Sequence, residues 1–480
     1  MRPAAFSLTR TVTEPSTPLL KRTLHSLFYM LTGVLVAVLF AGALAAWRLG
    51  QGPVSLAWAV PTLEYIVNRA SPQLRIEIGD LIVSWAGWAE GLDARLLDVR
   101  VLAADQRRIA GVPELSVALS ADALKAFRLA PTEIRLYHPR LRLIRREDGT
   151  LEVALADSER SATPFRDIVQ TALRTPQDPD NPLSYLQTVT IIDGRFVYRD
   201  RRLGAAWRGR LLRAQLVRGS HSLSLEAKFA LAAGQEIAAA SINGVFAGST
   251  GAMAAQVQFQ DFRPAAFAAM SPVLSPLLSV DLPLAGTASI ATGGDGALRQ
   301  LDFDIRGGDG RLVLTAPLAT QLGMDASAAQ VLAVSEVGLS GHYDGDARVI
   351  EMRPSGLNFV EGTSIHLPAP IDQTMPLGSI AGHGTYAFGS DTLTISSLDL
   401  DLAGPKLSAT GQASGLRDQV AGQAVIFLGR VKVDELSTYW PKIIVPGGRA
   451  WVLEHLAGGS MDQGEIRLAF GPTDKGIDVT

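Results

Sequence analysis

No cysteine occurs among the 480 residues. That excludes disulfides, thiolate metal sites and cysteine nucleophiles together, and it suits an oxidising compartment. Charge is scarce: 19% of residues are Asp, Glu, Lys or Arg, and the formal net charge is −3. No excess of basic residues points to nucleic acid as a partner. Aromatic residues make up only 6% and form no evident girdles, which disfavours a transmembrane β-barrel.

Catalytic signatures are missing as well. No Gly-x-Ser-x-Gly or phosphate-loop pattern occurs. The seven histidines, His25, His138, His221, His342, His366, His383 and His455, never stand at a metal-motif spacing such as His-x-His or His-x-x-x-His. Gly293-Gly294-Asp295-Gly296 and Gly307-Gly308-Asp309-Gly310 have the composition of calcium-binding glycine repeats. They lack the second aspartate and the tandem nine-residue spacing, so hairpin turns are the expectation. Asp302 and Asp304, like Asp399 and Asp401, fall on the solvated face of alternating strands. The sequence predicts no catalytic residue, no metal, no cofactor and no enzyme.

What the chain has in quantity is apolar residues, 47% of the total. Leu27 to Trp47, LFYMLTGVLVAVLFAGALAAW, contains no charge and as a helix spans roughly 30 Å, the thickness of a bilayer core. Lys21 and Arg22 flank it on the N-terminal side, with Arg2 and Arg10 further out. The positive-inside rule then puts residues 1–26 in the cytoplasm and the body across the membrane. A cleaved signal peptide is the competing reading, since Ala41-Gly42-Ala43 and Ala43-Leu44-Ala45 fit a cleavage site. The long apolar run and long leading segment favour an uncleaved anchor.

From Arg75 onward apolar residues alternate. Ile76, Ile78, Leu81, Val83 and Trp85 form one set, broken at Gly79-Asp80. Leu92, Ala94 and Leu96 form another, which shifts by one to Leu97, Val99 and Val101, as at a β-bulge. Leu115, Val117 and Leu119 continue the pattern, as do Leu301, Phe303 and Ile305, then Leu398, Leu400 and Leu402, and Ile466, Leu468 and Phe470. Asp148-Gly149, Asp193-Gly194, Asp295-Gly296 and Asp309-Gly310 read as hairpin turns. Helices are expected at Pro61–Arg69, Asp122–Leu129, Thr163–Arg174, Asp434–Tyr439 and Gly448–Leu456, with a loop over Pro176–Pro182. Alternation fits a filled sandwich as well as an open apolar groove. Two short repeats stand out. IRLYHPRLRL from Ile134 matches VTIIDGRFVY from Val189, pairing Ile134 with Val189, Leu136 with Ile191, Arg140 with Arg195, Leu141 with Phe196 and Leu143 with Tyr198. Gly341-His342-Tyr343 matches Gly384-Thr385-Tyr386. Such repeats predict strands added one after another along an axis.

Two stretches resemble a known family. LRIEIGDLIVSWAGWAEGLDARLLDVRVLAADQRRIAGVPELSVALS, Leu74 to Ser120, resembles the N-terminal module of AsmA-like proteins, and APTEIRLYHPRLRLIRREDGTLEVAL from Ala130 continues it. STYWPKIIVPGGRAWVLEHLAGGSMDQGEIRLAF, Ser437 to Phe470, resembles the more specific signature of the YhdP branch, through Trp440-Pro441, Arg449, Trp451-Val452 and Gly458-Gly459. The bland reading of Trp440, Arg449 and Trp451 is a packed helical hairpin over a sheet end.

The resemblance implies a mainly β fold: one N-terminal transmembrane helix, then an extended, curved antiparallel sheet with an open apolar groove and a few short helices. It implies a bacterial inner-membrane protein with its body in the periplasm, moving phospholipid towards the outer membrane without catalysis. A structural or assembly factor for the outer membrane that carries no lipid is the alternative. Expected partners are the inner membrane, phospholipid acyl chains, and outer-membrane or other envelope proteins, with no nucleic acid. Candidate groove residues are Leu96, Val117, Leu136, Phe196, Phe303 and Leu400. The expected division is a tail (1–26), a transmembrane helix (27–47), an AsmA-like β module (48–175), a repetitive β groove (183–433), and a YhdP-like hairpin that opens a further β module (434–480). The family's proteins are usually much longer. Here Gly476 to Thr480 ends inside what reads as a strand, and about 25 strands at roughly 4.8 Å would reach about 120 Å. A truncated product or a partial sequence, the membrane-proximal part of a longer conduit, is therefore the expectation.

Overall fold

The computed structural model describes residues 18–70, 74–85, 92–103, 108–120, 123, 128, 130–154, 163–164, 167, 182–314, 330–367, 372–417, 419–442, 445–471 and 477–479. Among the described residues, twenty-six strands join in one sheet, which is curved and almost wholly antiparallel.

Helix α1 runs Pro18–Gly50. Its described large side chains, among them Phe28, Leu31, Leu35, Leu39 and Trp47, are exposed. Among the described residues no helix is long and apolar enough to cross a membrane. Helix α2, Val60–Ala70, lies against the first strands. Its Val60 and Leu63 pack on Leu81, Leu96 and Val99. Its polar side chains also close a strand edge: Asn68 donates to the Ile76 carbonyl at 3.0 Å and accepts from the Ile76 N–H at 2.6 Å, while Glu64 accepts from the Ile78 N–H at 2.6 Å. Unpaired strand amides are thereby satisfied without another strand.

From Asp80–Trp85 the chain adds strands in sequence order, each antiparallel to the last. Departures include Val280–Asp281, which is passed over and pairs with Gly310–Leu314, and Thr188–Asp200, which pairs in parallel with Pro131–Tyr137 and then with Arg140–Arg145. Thr188–Asp200 thus joins the same sheet as those earlier strands. The parallel register joins Val189 to Ile134, Ile191 to Leu136, Arg195 to Arg140, Phe196 to Leu141 and Tyr198 to Leu143. These are the five matches of the sequence repeat. The second repeat is also spatial. Gly341 and Gly384 both pair with Met352, and Tyr343 and Tyr386 both pair with Ile350, so the copies lie two strands apart in one register.

A crease crosses the early strands. Asp98, His138 and Asp193 have left-handed backbone, with φ of 49°, 52° and 50°. At each step the inward face changes parity: Leu96 and Val99 lie in one cluster, as do Ile191 and Phe196. Neighbouring strands flip together, so register is kept. The crease ends at Leu212, the extra residue where Ala205–Arg218 slips against Ser222–Ala233. The one-residue shift expected after Leu96 is thus real, made by a left-handed residue rather than an inserted one.

Several expectations are corrected. Asp193-Gly194 is no hairpin turn; it sits inside Thr188–Asp200, because a short polar side chain and a glycine both tolerate the left-handed kink. Asp309-Gly310 is no hairpin either, since Leu298–Gly307 and Gly310–Leu314 both pair along the single strand Gln330–Asp344. Thr163–Pro164 is strand, paired with Glu152 and Val153; the rest of the helix expected there lies outside the described residues apart from Asp167. The helix expected over Asp122–Leu129 lies outside them too, save Ala123 and Arg128, and so does Pro176–Asn181 of the expected loop. Asp148-Gly149 and Asp295-Gly296 do turn the chain.

The remaining helices cover particular spots. Helix α3, Pro264–Ala268, with the 3₁₀ turn Pro272–Ser279, seats Phe267 against Ala205, Trp207, Ala233 and Ala238. Helix α4, Leu436–Tyr439, brings Tyr439 to a cluster of Val334, Phe359, Leu377 and Leu402. Helix α5, Pro446–His455, buries no residue.

Candidate functional site

Residues paired across neighbouring strands point to the same side of a sheet. Following the pairs from strand to strand gives one unbroken row. It reads Leu81, Leu96, Leu115, Leu136, Ile191, Ala214, Ala227, Ile242, Val257, Ala288, Phe303, Gly341, Met352, Gly384, Ile395, Gly411, Ala424, Leu468 and Val479. No member is polar or charged. The row two residues along the strands is as apolar, from Val83, Ala94, Val117, Ile134 and Val189 to Leu393, Ala413, Gly422, Phe470 and Ile477, with Tyr343 and Tyr386 its only hydroxyls.

The opposite face is polar in the same unbroken way. Arg95, Ser116, Arg135, Thr190, Gln215, Glu226, Asn243, Gln256, Ser289, Asp302, His342, Glu351, Thr385, Thr394, Gln412 and Gln423 follow one another in register. Asp302 and Asp304 stand there, as do Asp399 and Asp401. His342 Nδ1 lies 2.6 Å from Asp302, and His383 Nε2 lies 2.8 Å from Glu351. Asp302 is held below the ordinary carboxylate range chiefly by the His342 hydrogen bond. Glu351 is held low by its bonds to Arg353 and then His383. Among the described residues no three ligating side chains gather as a metal site.

Coverage decides what the apolar face can do. At its start Leu81 and Leu96 are buried under α2. From Ile242 to Leu468 every member of the first row is only half-buried. A face closed by a second layer would bury such residues fully, so along this stretch the face is open.

Three phenylalanines lie across glycines on this face. Phe196 pairs with Gly209, Phe259 with Gly286 and Phe303 with Gly341. A β-carbon at Gly209 or Gly341 would sit 2.2 or 2.4 Å from the ring of its partner. Laying an aromatic ring over a glycine covers exposed backbone and, with the many alanines, keeps the surface low.

All six candidate groove residues lie on this face. Leu96, Leu136 and Phe303 belong to the first row and Val117 to the second. Phe196 joins through Leu141, Leu211 and Ala214, and Leu400 through Ile380 and Leu407. Leu96 is covered by α2 and Phe196 is buried, so neither is as open as Phe303 or Leu400. Reach is shorter than the strand count suggested. Seven of the twenty-six described strands lie off the row, Gly310–Leu314 and Arg140–Arg145 among them as lengthwise extensions of neighbours, leaving nineteen across it and roughly 86 Å from first to last at about 4.8 Å per step.

Of the motif residues, Arg449 and Trp440 come together. The Arg449 guanidinium donates to the Trp440 carbonyl at 2.9 Å and the Ser437 carbonyl at 3.2 Å, satisfying the orphan C-terminal carbonyls of α4 from α5. Pro441 follows in the link between the helices. Trp451 faces away, 55% exposed and stacked on His455 at 5.1 Å. Arg449 is thus a brace within the hairpin, and Trp451 is free on its surface. The glycines beneath the phenylalanines were not singled out in the sequence; a Phe and a Gly at matching alternation steps of adjacent strands was the available signal. No family model, curated protein or solved structure matches this chain.

Proposed function

We propose that this chain is an inner-membrane-anchored lipid-transfer protein of the AsmA-like kind, whose apolar face carries phospholipid acyl chains through the periplasm without catalysis. The observation that carries the reading is the pair of apolar rows crossing nineteen strands with no charged member, the first of them half-buried from Ile242 to Leu468. A lipid leaves a bilayer slowly because its chains must enter water. At about 0.8 kcal/mol per methylene, a sixteen-carbon chain costs on the order of 12 kcal/mol. An apolar surface continuous along the path removes most of that barrier, while the head group stays in water at the open side. The exposed apolar side chains of α1 and the basic residues before them support an anchor with the N-terminus in the cytoplasm.

A photo-crosslinking residue at Ala288, Phe303 or Leu400 tests this in cells. Phospholipid should be captured there and not at Asp304 or Asp399 on the polar face. Equal capture on both faces would leave a structural or assembly role for the outer membrane.

A further inference from the structure

We propose that the polar face of the sheet carries, beside the crease, a second site that binds a phosphate-bearing amphiphile. Its charged part is a row of arginines. Arg140, Arg195 and Arg210 are direct partners on three adjacent strands, and Arg142 and Arg208 flank Val197 in the next row. Adjacent strands are about 4.8 Å apart, so the three arginine side chains leave the sheet side by side. Like charges directly opposite one another destabilise a sheet. Only part of this repulsion is relieved within the chain. Arg210 bonds to Asp193 at 2.6 Å, whereas Arg140, Arg195 and Arg208 have no ion pair among the described residues.

The arginines surround a concavity of about 580 Å³, within the range of small-ligand sites. Its floor is apolar: Val197, Ala230 and Ala232, with Leu212 and Ile237 at 48% and 62% exposure. Leu212 is the extra residue that ends the crease, so the same irregularity that bends the sheet puts an isobutyl group on the polar face. Guanidinium forks match phosphate oxygens in geometry and charge. Exposed aliphatic groups inside an arginine ring match a short length of acyl chain and have no use for a bare anion. A phosphate ester with a net negative charge and one apolar tail satisfies both halves of the site, whereas a choline ester would bring a cation into the arginine ring. Nucleic acid fits less well, because the one aromatic residue along the concavity, Phe196, has its ring packed on the other face among Leu141, Leu211 and Ala214 and is not open to base stacking. This site lies on the face opposite the apolar rows, and its existence does not depend on the proposed transfer function.

The test uses the full chain in phosphatidylcholine nanodiscs. The probes are lysophosphatidic acid below its micellar concentration, lysophosphatidylcholine and glycerol phosphate. Lysophosphatidic acid is expected to bind at least tenfold more tightly than either of the others. R140Q/R195Q should lose that margin, leave lysophosphatidylcholine unchanged, and melt at or above the parent temperature because a repulsion has been removed. Ile237→Ser should weaken lysophosphatidic acid several-fold and leave glycerol phosphate unchanged. Lysophosphatidic acid binding that survives R140Q/R195Q would overturn the proposal. So would glycerol phosphate binding as tightly as the lysolipid, or a single-stranded oligonucleotide displacing it.

Discussion

His138 and Asp193 stand 55 positions apart, take equivalent places in parallel neighbours, and share a left-handed backbone, with imidazole Nε2 3.4 Å from the carboxylate. Two strands kink at one point by the same conformation, so the sheet bends and its pairing survives. Asp193 also binds Arg210, and that bond above all holds its carboxyl below the usual range. Aspartate at position 193 therefore combines tolerance of positive φ with a charge that pins the next strand.

Position 193 should discriminate sharply among substitutions. D193G keeps the backbone and loses the ion pair, D193N keeps the backbone and part of the hydrogen bonding, and D193V loses both. Urea midpoints should fall least for Asn and Gly and most for Val, since β-branched residues resist left-handed φ. Equal midpoints for Gly and Val would show that the kink is not what Asp193 is there for.

Phe303 and Gly341 should be energetically coupled. Gly341→Ala drives a methyl into the Phe303 ring and against the Glu351 carbonyl, an overpacking expected to cost about 1–3 kcal/mol. In F303A the ring is gone, and adding G341A should cost less than it does in the parent. Part of the cost persists through the carbonyl, which lies 2.7 Å from the added carbon. A double-mutant cycle of urea melts measures the difference; strict additivity would mean that the ring moves aside freely.

How much of this was legible in the sequence differs from element to element. The 55-residue repeat held the parallel register in full, since residues that repeat at one alternation step and one spacing can pair side by side. The 43-residue step from Gly341 to Gly384 likewise held the two-strand period. Asp193-Gly194 misled, because the dipeptide that builds a type I′ turn also builds a left-handed kink within a strand. The face of each strand could be read from alternation. That α2 covers Leu96 while Phe303 stays open could not, because coverage is set by where a helix docks. The shorter reach followed from strands that extend neighbours end to end, which no local pattern reveals.

Arg449 should hold the α4–α5 hairpin through two carbonyls rather than through charge. Arg449→Lys keeps the charge and loses the fork, and should loosen the hairpin nearly as much as Arg449→Ala, by about 1–2 kcal/mol. Limited proteolysis between Trp440 and Pro446 should accelerate in both variants, with far-ultraviolet circular dichroism of the sheet unchanged. Rescue by lysine would point to an electrostatic role instead.

The absence of cysteine makes the orientation directly testable. A single cysteine at Ser249, an exposed turn residue, should react with a membrane-impermeant maleimide once the outer membrane is opened. One at Ser7, before the apolar run, should react only after the inner membrane is also breached. The reverse pattern would place the sheet in the cytoplasm and end the transfer reading.

Asp200 gives the fold an acid limit. It is almost wholly buried, which by itself would raise its pKa. The Leu203 N–H at 3.0 Å, the Tyr198 hydroxyl at 3.0 Å and Arg145 at 3.2 Å outweigh that and hold the carboxyl below its ordinary value. The sign follows from linkage. A carboxyl whose folded pKa is depressed contributes stability that is fully present above its unfolded value, near pH 4, and is lost as pH falls through the folded one. Asp200→Asn should cost about 2 kcal/mol at neutral pH, since Arg145 and Tyr198 lose a charged partner in a buried setting. The gap between parent and variant should narrow progressively below about pH 4. Denaturant melts of both proteins between pH 3 and 7 measure that gap. One that stays constant with pH would show that the carboxylate charge contributes nothing and that the hydrogen-bond geometry, which asparagine can partly copy, is what matters.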